Sequence, residues 1–588
     1  MSLLIVVLAS AVVLAVAYRV YGNLLVRLLR LDPDAPTPAV ALRDDVDYVP
    51  TEPKFLMGQH FSAIAAAGPI VGPILAGVMF GWAPALAWIL VGSIFIGGVH
   101  DTTTLVASIR HRARSIAEVV REHMTRRSYL LFLAFVWIAL VYIVVAFTDI
   151  TAASFLGKQT LENGQTVTGG GIATSSLLYL ALPILMGLLL RYTKISLGLA
   201  TVIFVPLVGL AIWGGQHVPL DLGALLNIPD AGPGITAHKV WDVLLLGYCL
   251  VAAVMPVWLL LQPRGHLGGI FLYAVLAGGA LGLMFGGKTA EYPAFIGWTT
   301  AKGETLFPVL FVTIACGACS GFHALIASGT TSKQLRRETD AKPIGYGAML
   351  LEALVAIVSL CCVMMLAKNS PLLGNPQPNF IYATGIGSFL SVIGVPATFG
   401  IAFGLMAFTT FVYDTLDVCT RLGRYIVQEL TGWRDARGKW LATLATAGTP
   451  LFFVLRTTLD AAGKPVPAWR TFWGLFGASN QLLAALALLG VTVWLWRTQR
   501  ARWVWAVTGL PAAWMYVVSV WALWGIIGRS YALNGLSGDA VLWVAVVLMA
   551  LALLMLAEAV RMLFRPSDGS GRDAERAPLA GAASPSAA

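Results

Sequence analysis

Charged residues are scarce in this chain: Asp, Glu, Lys and Arg make up only 12% of its 588 residues, whereas hydrophobic residues make up 58%. Soluble domains contain about 25% charged residues, so this composition excludes an ordinary soluble protein. The six cysteines are scattered in or beside apolar segments, which excludes a disulfide framework. The HExxH and GxSxG motifs are missing, and we expect neither enzyme activity nor a cofactor.

Long apolar runs occupy most of the chain. A helix of roughly 17 to 25 apolar residues crosses the ~30 Å hydrocarbon layer, where lipid offers no partner to backbone N–H and C=O groups. The sequence therefore predicts an all-α, polytopic membrane protein of about 15 transmembrane helices. The expected spans are 2–18, 55–80, 83–100, 129–148, 173–190, 195–214, 240–262, 268–286, 306–329, 344–366, 386–416, 440–455, 471–495, 503–527 and 540–562. The run 386–416 contains Pro396 and is also compatible with a re-entrant piece followed by a helix.

The Lys and Arg residues are unevenly distributed over the predicted loops. If Met1 lies outside, the cytoplasmic segments contain most of the 39 Lys and Arg residues. The positive-inside rule then predicts an external amino terminus and a cytoplasmic carboxyl terminus. The basic stretch 110–127 is expected to lie near anionic headgroups. The net charge of +10 is not accompanied by a nucleic-acid-binding fold, and we expect no such partner.

Two segments of the chain resemble each other: FSAIAAAGP at 61–69 and FHALIASGT at 322–330. Both lie in apolar runs interrupted by glycine or proline, and a membrane tolerates such breaks only where they face protein or a wet cavity. Seven predicted spans separate their starts, and an odd number inverts the second copy. Inverted repeats with two discontinuous helices are typical of secondary transporters. Alternatively, the small residues only permit close helix packing.

These motifs resemble the carbon starvation protein A (CstA) family. The resemblance covers about residues 50–490 and rests on five stretches: MGQHFSAIAAAGPIVGPILAG (57–77), GGVHDTTTL (97–105), GACSGFHALIASGTTSKQL (317–335), FVYDTLDVCTRLGRY (411–425) and FWGLFGASNQLLAALAL (472–488). It implies a LeuT-like inverted-repeat core and proton-coupled uptake of a small carboxylate such as pyruvate, or of peptides, by alternating access. It also implies a location in the cell (inner) membrane, and a small accessory protein as a partner beside the lipid bilayer.

Four regions are expected along the chain. Residues 1–54 form the first transmembrane helix and a cytoplasmic linker. Residues 55–495 form the transporter core, with inverted repeats starting near 55 and 306. Residues 496–565 add further transmembrane helices, and residues 566–588 have too little apolar surface to order themselves, which predicts a disordered cytoplasmic tail.

Candidate substrate-binding residues lie at the two predicted helix breaks. No membrane-embedded arginine is obvious in the sequence, so half-helix amino termini, with their free N–H groups, are the expected sites for a substrate carboxylate. The predicted residues are Gln59, His60, Ser62, Gly68, Gly321, His323, Ser328, Gly329, Thr330 and Thr331. Asn480 and Gln481 contribute either to helix packing or to substrate contact.

Ionisable side chains inside a bilayer are costly, which makes each of them a functional hypothesis. Candidates for proton coupling or gating are His60, Asp101, His323, Glu352 and Asp414. Each has a structural alternative: a neutral histidine bonded to a freed carbonyl, or a carboxylate paired with a neighbouring helix. Asp417 and Arg421 are spaced i, i+4 and are expected to pair with each other.

Two other classes of function compete with transport. Cys316, Cys319 and His323 are spaced i, i+3, i+7 on one helix face, and thiolate and imidazole are ligands of Zn²⁺ or Cu⁺. Cysteine is also a small apolar residue suited to helix contacts, and we expect no metal. A membrane sensor or receptor on a transporter fold is the other alternative.

Overall fold

The computed structural model describes residues 1–44, 48–65, 67–160, 166–232, 234–256, 258–374, 376–433, 435–459, 465–536 and 540–564. The predicted tail 566–588 lies outside the described residues. The helices of the first half are α1 (Leu3–Leu28), α2 (Pro38–Ala41), α3 (Pro53–Ile64), α4 (Gly68–Phe80), α5 (Trp82–Gly92), α6 (Gly98–Arg110), α7 (Ile116–His123), α8 (Arg126–Ser154), α9 (Gly169–Tyr192), α10 (Leu197–His217), α11 (Leu222–Leu226), α12 (Ala237–Ala252) and α13 (Leu261–Phe285).

The second half of the chain is also helical. Its helices are α14 (Leu306–Thr313), α15 (Ala315–Ala318), α16 (Gly321–Gly329), α17 (Ala348–Met364), α18 (Pro378–Ser391), α19 (Ala397–Thr431), α20 (Ala436–Val454), α21 (Ala468–Gln499), α22 (Leu510–Asn534) and α23 (Ala540–Phe564). Two short antiparallel hairpins precede α9 and α21: β1 (Lys158–Thr160) with β2 (Thr166–Thr168), and β3 (Thr458–Leu459) with β4 (Pro465–Val466).

The helices confirm a polytopic membrane protein. Within the described residues, eleven helices are long and apolar enough to cross a membrane, or twelve if α3 and α4 are counted as one bent span. The predicted number of 15 is not confirmed by this criterion. The expected span 240–262 is the 16-residue α12, and 306–329 is divided into three short helices. The run 386–416 is also divided, because Pro396 caps the start of α19.

Both predicted discontinuous helices are present. The axes of α3 and α4 are bent by 47°, and the second broken element is interrupted at Ile314 and again between α15 and α16. The two elements cross at close range: a Cβ on Gly68 would lie 2.3 Å from the Cys316 side chain, and one on Gly72 would lie 2.4 Å from the carbonyl oxygen of Thr313. These glycines therefore permit backbone contact between the two breaks.

The order of elements recurs after each break. A π-helical turn, Ser93–Gly97, lies between α5 and α6, and a second one, Lys342–Gly347, precedes α17. Each is followed by a long helix, α8 in the first half and α19 in the second, and these two helices contact each other. This order fits the predicted repeat, and the inversion of the second copy stays a prediction.

Lipid-facing and interior helices differ clearly in burial. The apolar parts of α17, α19 and α21 are almost entirely buried, whereas those of α1, α10 and α23 are mostly exposed. Large apolar side chains such as Val20, Leu210 and Trp543 lie on that exposed surface. Because contiguous apolar surface of this extent is unfavourable in water, the outer helices require lipid around them.

Candidate functional site

Four ionisable side chains meet inside the helix bundle, and all are fully buried: His100 and Asp101 from α6, His323 from α16 and Glu352 from α17. The Asp101 carboxylate contacts both imidazoles, with 2.8 Å from Oδ1 to His100 Nδ1 and 2.8 Å from Oδ2 to His323 Nδ1. On its opposite edge, His323 places Nε2 at 3.2 Å from Glu352 Oε2. We call these four residues the histidine–carboxylate chain.

The contacts determine where protons lie in this chain. An ionised carboxylate only accepts hydrogen bonds, so Asp101 requires a proton on Nδ1 of each neighbouring imidazole. A neutral His323 then presents the Nε2 lone pair to Glu352, and an ionised Glu352 presents a lone pair in return. The described residues offer no other hydrogen-bond partner to either group. Across the 3.2 Å contact, the two lone pairs repel each other. One proton, on His323 or on Glu352, removes this repulsion.

Asn480 from α21 holds the break that positions His323. Its Oδ1 accepts a hydrogen bond from Phe322 N at 3.1 Å, and its Nδ2 donates to Cys316 Sγ at 3.1 Å. The Phe322 N–H is one of the donors that the first turn of a helix leaves unpaired, so Asn480 caps α16. Gly321 packs against the same helix, since its Cβ would lie 2.4 Å from the backbone nitrogen of Ala484. The amino terminus of α16, expected to receive a substrate carboxylate, is thus occupied by α21.

His60 lies outside the histidine–carboxylate chain. Its Nδ1 is 2.8 Å from Thr331 Oγ1, and its buried Nε2 has no hydrogen-bond partner among the described residues. Thr331 follows α16, so this contact joins the two broken helices. Of the two predicted histidines, His323 contacts both carboxylates of the chain, whereas His60 contacts a hydroxyl group.

A second buried cluster surrounds Arg264 of α13, which is 1% exposed. Its Nε is 2.6 Å from Asp414 Oδ1, and its NH1 is 2.5 Å from Asp417 Oδ2. Tyr248 donates to Asp417 at 2.9 Å, and Ser62 of α3 donates to Asp414 Oδ2 at 2.8 Å. We call Arg264, Asp414, Asp417 and Tyr248 the Arg264 cluster.

The Arg264 cluster corrects two sequence-based expectations. A membrane-embedded arginine exists, and it was missed because Arg264 falls between two expected spans, whereas α13 already begins at Leu261. The expected pair of Asp417 with Arg421 is wrong, since Asp417 pairs with Arg264. Arg421 instead donates to the carbonyl oxygens of Ala252 and Met255 at 2.9 and 2.6 Å. Periodicity identifies neighbours on one helix but not a partner on another.

A cavity of 910 Å³, which we call the basic cavity, opens between α3, α7, α8, α16 and α19. Four of the predicted substrate residues line it: Gln59, Ser328, Gly329 and Thr330. Its wall carries four cationic side chains and two carboxylates: Arg114, Arg191, Lys333, Arg421, Glu118 and Glu429. The lining thus has a surplus of positive charge.

The other predicted residues lie behind this wall. His60, Ser62, Gly68, Gly321, His323 and Thr331 are absent from the lining of the basic cavity. Ser328, although in the lining, also accepts a hydrogen bond from Ile116 N at 3.0 Å and so ties α16 to α7. The predicted set therefore divides into residues of the cavity wall, buried polar side chains and two glycines at helix contacts.

The alternative metal site at Cys316, Cys319 and His323 does not assemble. Cys316 accepts from Asn480, and His323 is engaged by two carboxylates. In the part of the chain that the structure describes, neither cysteine belongs to a group of side chains able to hold a metal ion.

Known proteins resemble this chain over most of its length. A family model described as "Carbon starvation protein CstA" matches residues 2–373 and 369–522. The pyruvate/proton symporter BtsT of Escherichia coli is 32% identical, covering 89% of this chain and 81% of its own. The peptide transporter CstA of Bacillus subtilis is 30% identical, covering 95% and 97%.

Solved structures of transporters match more distantly. The crystal structure of MhsT in complex with L-phenylalanine has a TM-score of 0.46 and 13% identity, covering 86% of this chain and 98% of its own. A manganese transporter of Eremococcus coleocola has a TM-score of 0.44 and 16% identity, covering 89% and 98%.

Proposed function

Since this chain belongs to the carbon starvation protein CstA family and is a secondary transporter, we propose that it couples proton entry to the uptake of a small carboxylate of the pyruvate class. The observation that carries the proposal is the histidine–carboxylate chain, a buried site for one proton. The relatives divide between a pyruvate/proton symporter and peptide transporters, so a peptide is the second candidate substrate.

The histidine–carboxylate chain has the properties that a coupling site needs. Asp101, His323 and Glu352 come from three separate elements, so helix movement changes their distances and hence the affinity for the proton. The site binds one proton between His323 and Glu352, while Asp101 holds the imidazole in one tautomer. Such a group takes up a proton when it faces one side and releases it when its surroundings rearrange.

The charge of the basic cavity supports an anionic substrate. Cationic side chains in a cleft raise the local concentration of anions, and the cavity wall has two more cations than carboxylates. Arg264 is not the anion site, because Asp414 and Asp417 already occupy its guanidinium. The volume of 910 Å³ favours the peptide candidate, because it exceeds what a three-carbon acid fills.

Uptake into proteoliposomes tests the proposal. Labelled pyruvate is offered under an imposed inward proton gradient, with unlabelled pyruvate, dialanine, trialanine or alanine as competitors. Accumulation that collapses with a protonophore and is competed by pyruvate supports the carboxylate; stronger competition by the peptides supports the second candidate. Binding without accumulation of any of these compounds would identify a sensor and refute transport.

The sidedness is part of the proposal, with the amino terminus outside and the carboxyl terminus cytoplasmic. Contacts agree with the grouping of segments by side: Ala290 N donates to Met1 O, and both lie in segments predicted outside, whereas Arg110 pairs with Glu338, both predicted inside. The absolute orientation rests on the distribution of Lys and Arg residues. The six native cysteines are buried, so a membrane-impermeant maleimide can report on single introduced cysteines. Lys302→Cys should react from outside only, and Asp34→Cys, in the exposed linker after α1, should react from inside only. The reverse pattern would overturn the orientation.

A small accessory protein stays a proposed partner in the membrane. Affinity purification of the tagged full-length chain in mild detergent tests it. A stoichiometric small membrane protein should co-purify, and a transporter that is fully active in proteoliposomes without one would overturn this part of the proposal.

A further inference from the structure

A third group of ionisable side chains lies apart from the histidine–carboxylate chain and the Arg264 cluster. Asp149 near the end of α8 meets His238 and Asp242 at the start of α12, with one potential ligand atom of each within 4.8 Å of the others. His238 Nε2 is 3.2 Å from Asp149 Oδ1 and 3.0 Å from the backbone oxygen of the same residue. Both carboxylates are almost completely buried.

Asp242 lacks the partner that a buried carboxylate requires. Both of its oxygens are inaccessible to solvent, and neither has a hydrogen-bond partner among the described residues. The nearest lysine on α12, Lys239, is directed away, because its Nζ donates to Gly234 O at 2.9 Å and Thr457 Oγ1 at 2.8 Å. An isolated buried carboxylate is strongly unfavourable, so this position needs a proton or a cation.

We propose that Asp149, His238 and Asp242 form a binding site for a divalent transition-metal cation of the Zn²⁺ type. Two carboxylates and a neutral imidazole balance a dication completely, which satisfies Asp242 without leaving a net buried charge. The donor set of two oxygens and one nitrogen suits Zn²⁺, whose bonds to such ligands are about 2.0–2.2 Å. Two ligands of a tetrahedral Zn²⁺ are then about 3.3 Å apart, close to the observed 3.2 Å between Asp149 and His238.

The position of the site indicates what the cation does. The second oxygen of Asp149, Oδ2, accepts a hydrogen bond from Trp469 N at 2.8 Å, at the start of α21. A cation on the first oxygen therefore connects α8 to α12 while Asp149 still caps α21. Binding replaces the proton on His238 Nε2, which leaves to solvent. The site thus fastens three helices at one end of the bundle, and its affinity falls as His238 becomes protonated.

Zinc binding by the purified full-length protein tests the site. The protein carries His123→Asn, because His111, Glu122 and His123 form a second potential metal group near α7. After removal of metal with EDTA, calorimetric titration with ZnCl₂ should show one site per chain. Asp242→Asn should weaken that site by about tenfold or more, and Zn²⁺ should raise the Tm of the parent but not of the variant.

Two further measurements make the test decisive. His238→Gln retains both carboxylates and should also weaken Zn²⁺ binding, and it serves as the alternative variant should Asp242→Asn not fold. Glu291→Gln, a carboxylate outside the site, is the control and should bind Zn²⁺ like the parent. Equal Zn²⁺ affinity in the parent and in Asp242→Asn or His238→Gln would overturn the proposal and leave Asp242 with a bound proton. Because this site is separate from the basic cavity, its failure leaves the proposed transport function untouched.

Discussion

Replacing Glu352 by glutamine should separate substrate movement from proton movement. The amide has the shape of a protonated carboxyl group and, like it, donates to the Nε2 lone pair of a neutral His323, which lies 3.2 Å from Glu352 Oε2. It cannot lose a proton, however, so the pair no longer alternates between an empty and an occupied proton site. We expect Glu352→Gln to insert and fold normally but to transport without coupling.

The size of the effect follows from the number of protons. The histidine–carboxylate chain offers one exchangeable position, and one proton with one monocarboxylate crosses the membrane without net charge. A difference of one pH unit is worth about 1.36 kcal/mol per proton, a factor of about ten in concentration. An inward gradient of two pH units therefore supports an accumulation of about 100-fold in the parent and none in Glu352→Gln.

Two measurements on the same proteoliposomes check this expectation. Net uptake of labelled substrate under the pH gradient should fall to the equilibrium level in Glu352→Gln, whereas exchange of internal for external substrate, which needs no net proton movement, should persist. Glu558→Gln, on the peripheral helix α23, is the matched control and should accumulate substrate like the parent. Full gradient-driven accumulation in Glu352→Gln, with the pH dependence of the parent, would refute the coupling role of this chain.

Three further predictions concern stability. Arg264→Met should destabilise the purified protein by about 3–5 kcal/mol, because it leaves two buried carboxylates without their cation; an unchanged Tm would contradict this. Gly321→Ala should destabilise the protein by about 1–3 kcal/mol and so lower its Tm, because the added Cβ would lie 2.4 Å from the backbone nitrogen of Ala484. Gly329→Ala should leave the Tm unchanged, because the nearest atom to its added Cβ would be 3.7 Å away. Burial lowers the pKa of His123 to about 3, so this imidazole stays neutral in the folded state. Because the unfolded chain takes up the proton more readily, the folded state loses stability as pH falls below about 6.5. His123→Asn should therefore flatten the dependence of Tm on pH between 7 and 5, and an unchanged slope would contradict the assignment.

The sequence predicted the features that depend on local composition. Apolar runs identify the long membrane helices, and clusters of glycine and proline identify both broken helices, because a break in lipid needs residues that allow it. The cost of a buried charge also identifies His323 and Glu352 as candidates, independently of the contact between them. These inferences need no knowledge of which helices are neighbours.

Contacts between distant parts of the chain could not be predicted in this way. Asp101 and His323 are 222 positions apart, and Arg264 reaches Asp414 across 150 positions. Hydrophobic periodicity identifies the face of each helix but not its partner. The packing of Gly68 likewise depends on a crossing, since a Cβ at this position would meet the Cys316 side chain on the other broken helix. Its part in substrate binding stays a prediction.

The short helix α3 connects the second broken helix to the Arg264 cluster. His60 and Ser62 are two positions apart, so they point to different sides of the helix: His60 contacts Thr331 beside α16, and Ser62 contacts Asp414 in the Arg264 cluster. The approach of α3 to α13 is close, because a Cβ on Gly269 would lie 3.0 Å from the backbone oxygen of Gly58. A displacement of α3 therefore changes both contacts at once. If helix movement links proton binding to the opening of the basic cavity, α16 is the direct link, because both His323 and the cavity-lining Ser328 lie on it. Helix α3, whose Gln59 also lines the cavity, extends that link to the Arg264 cluster.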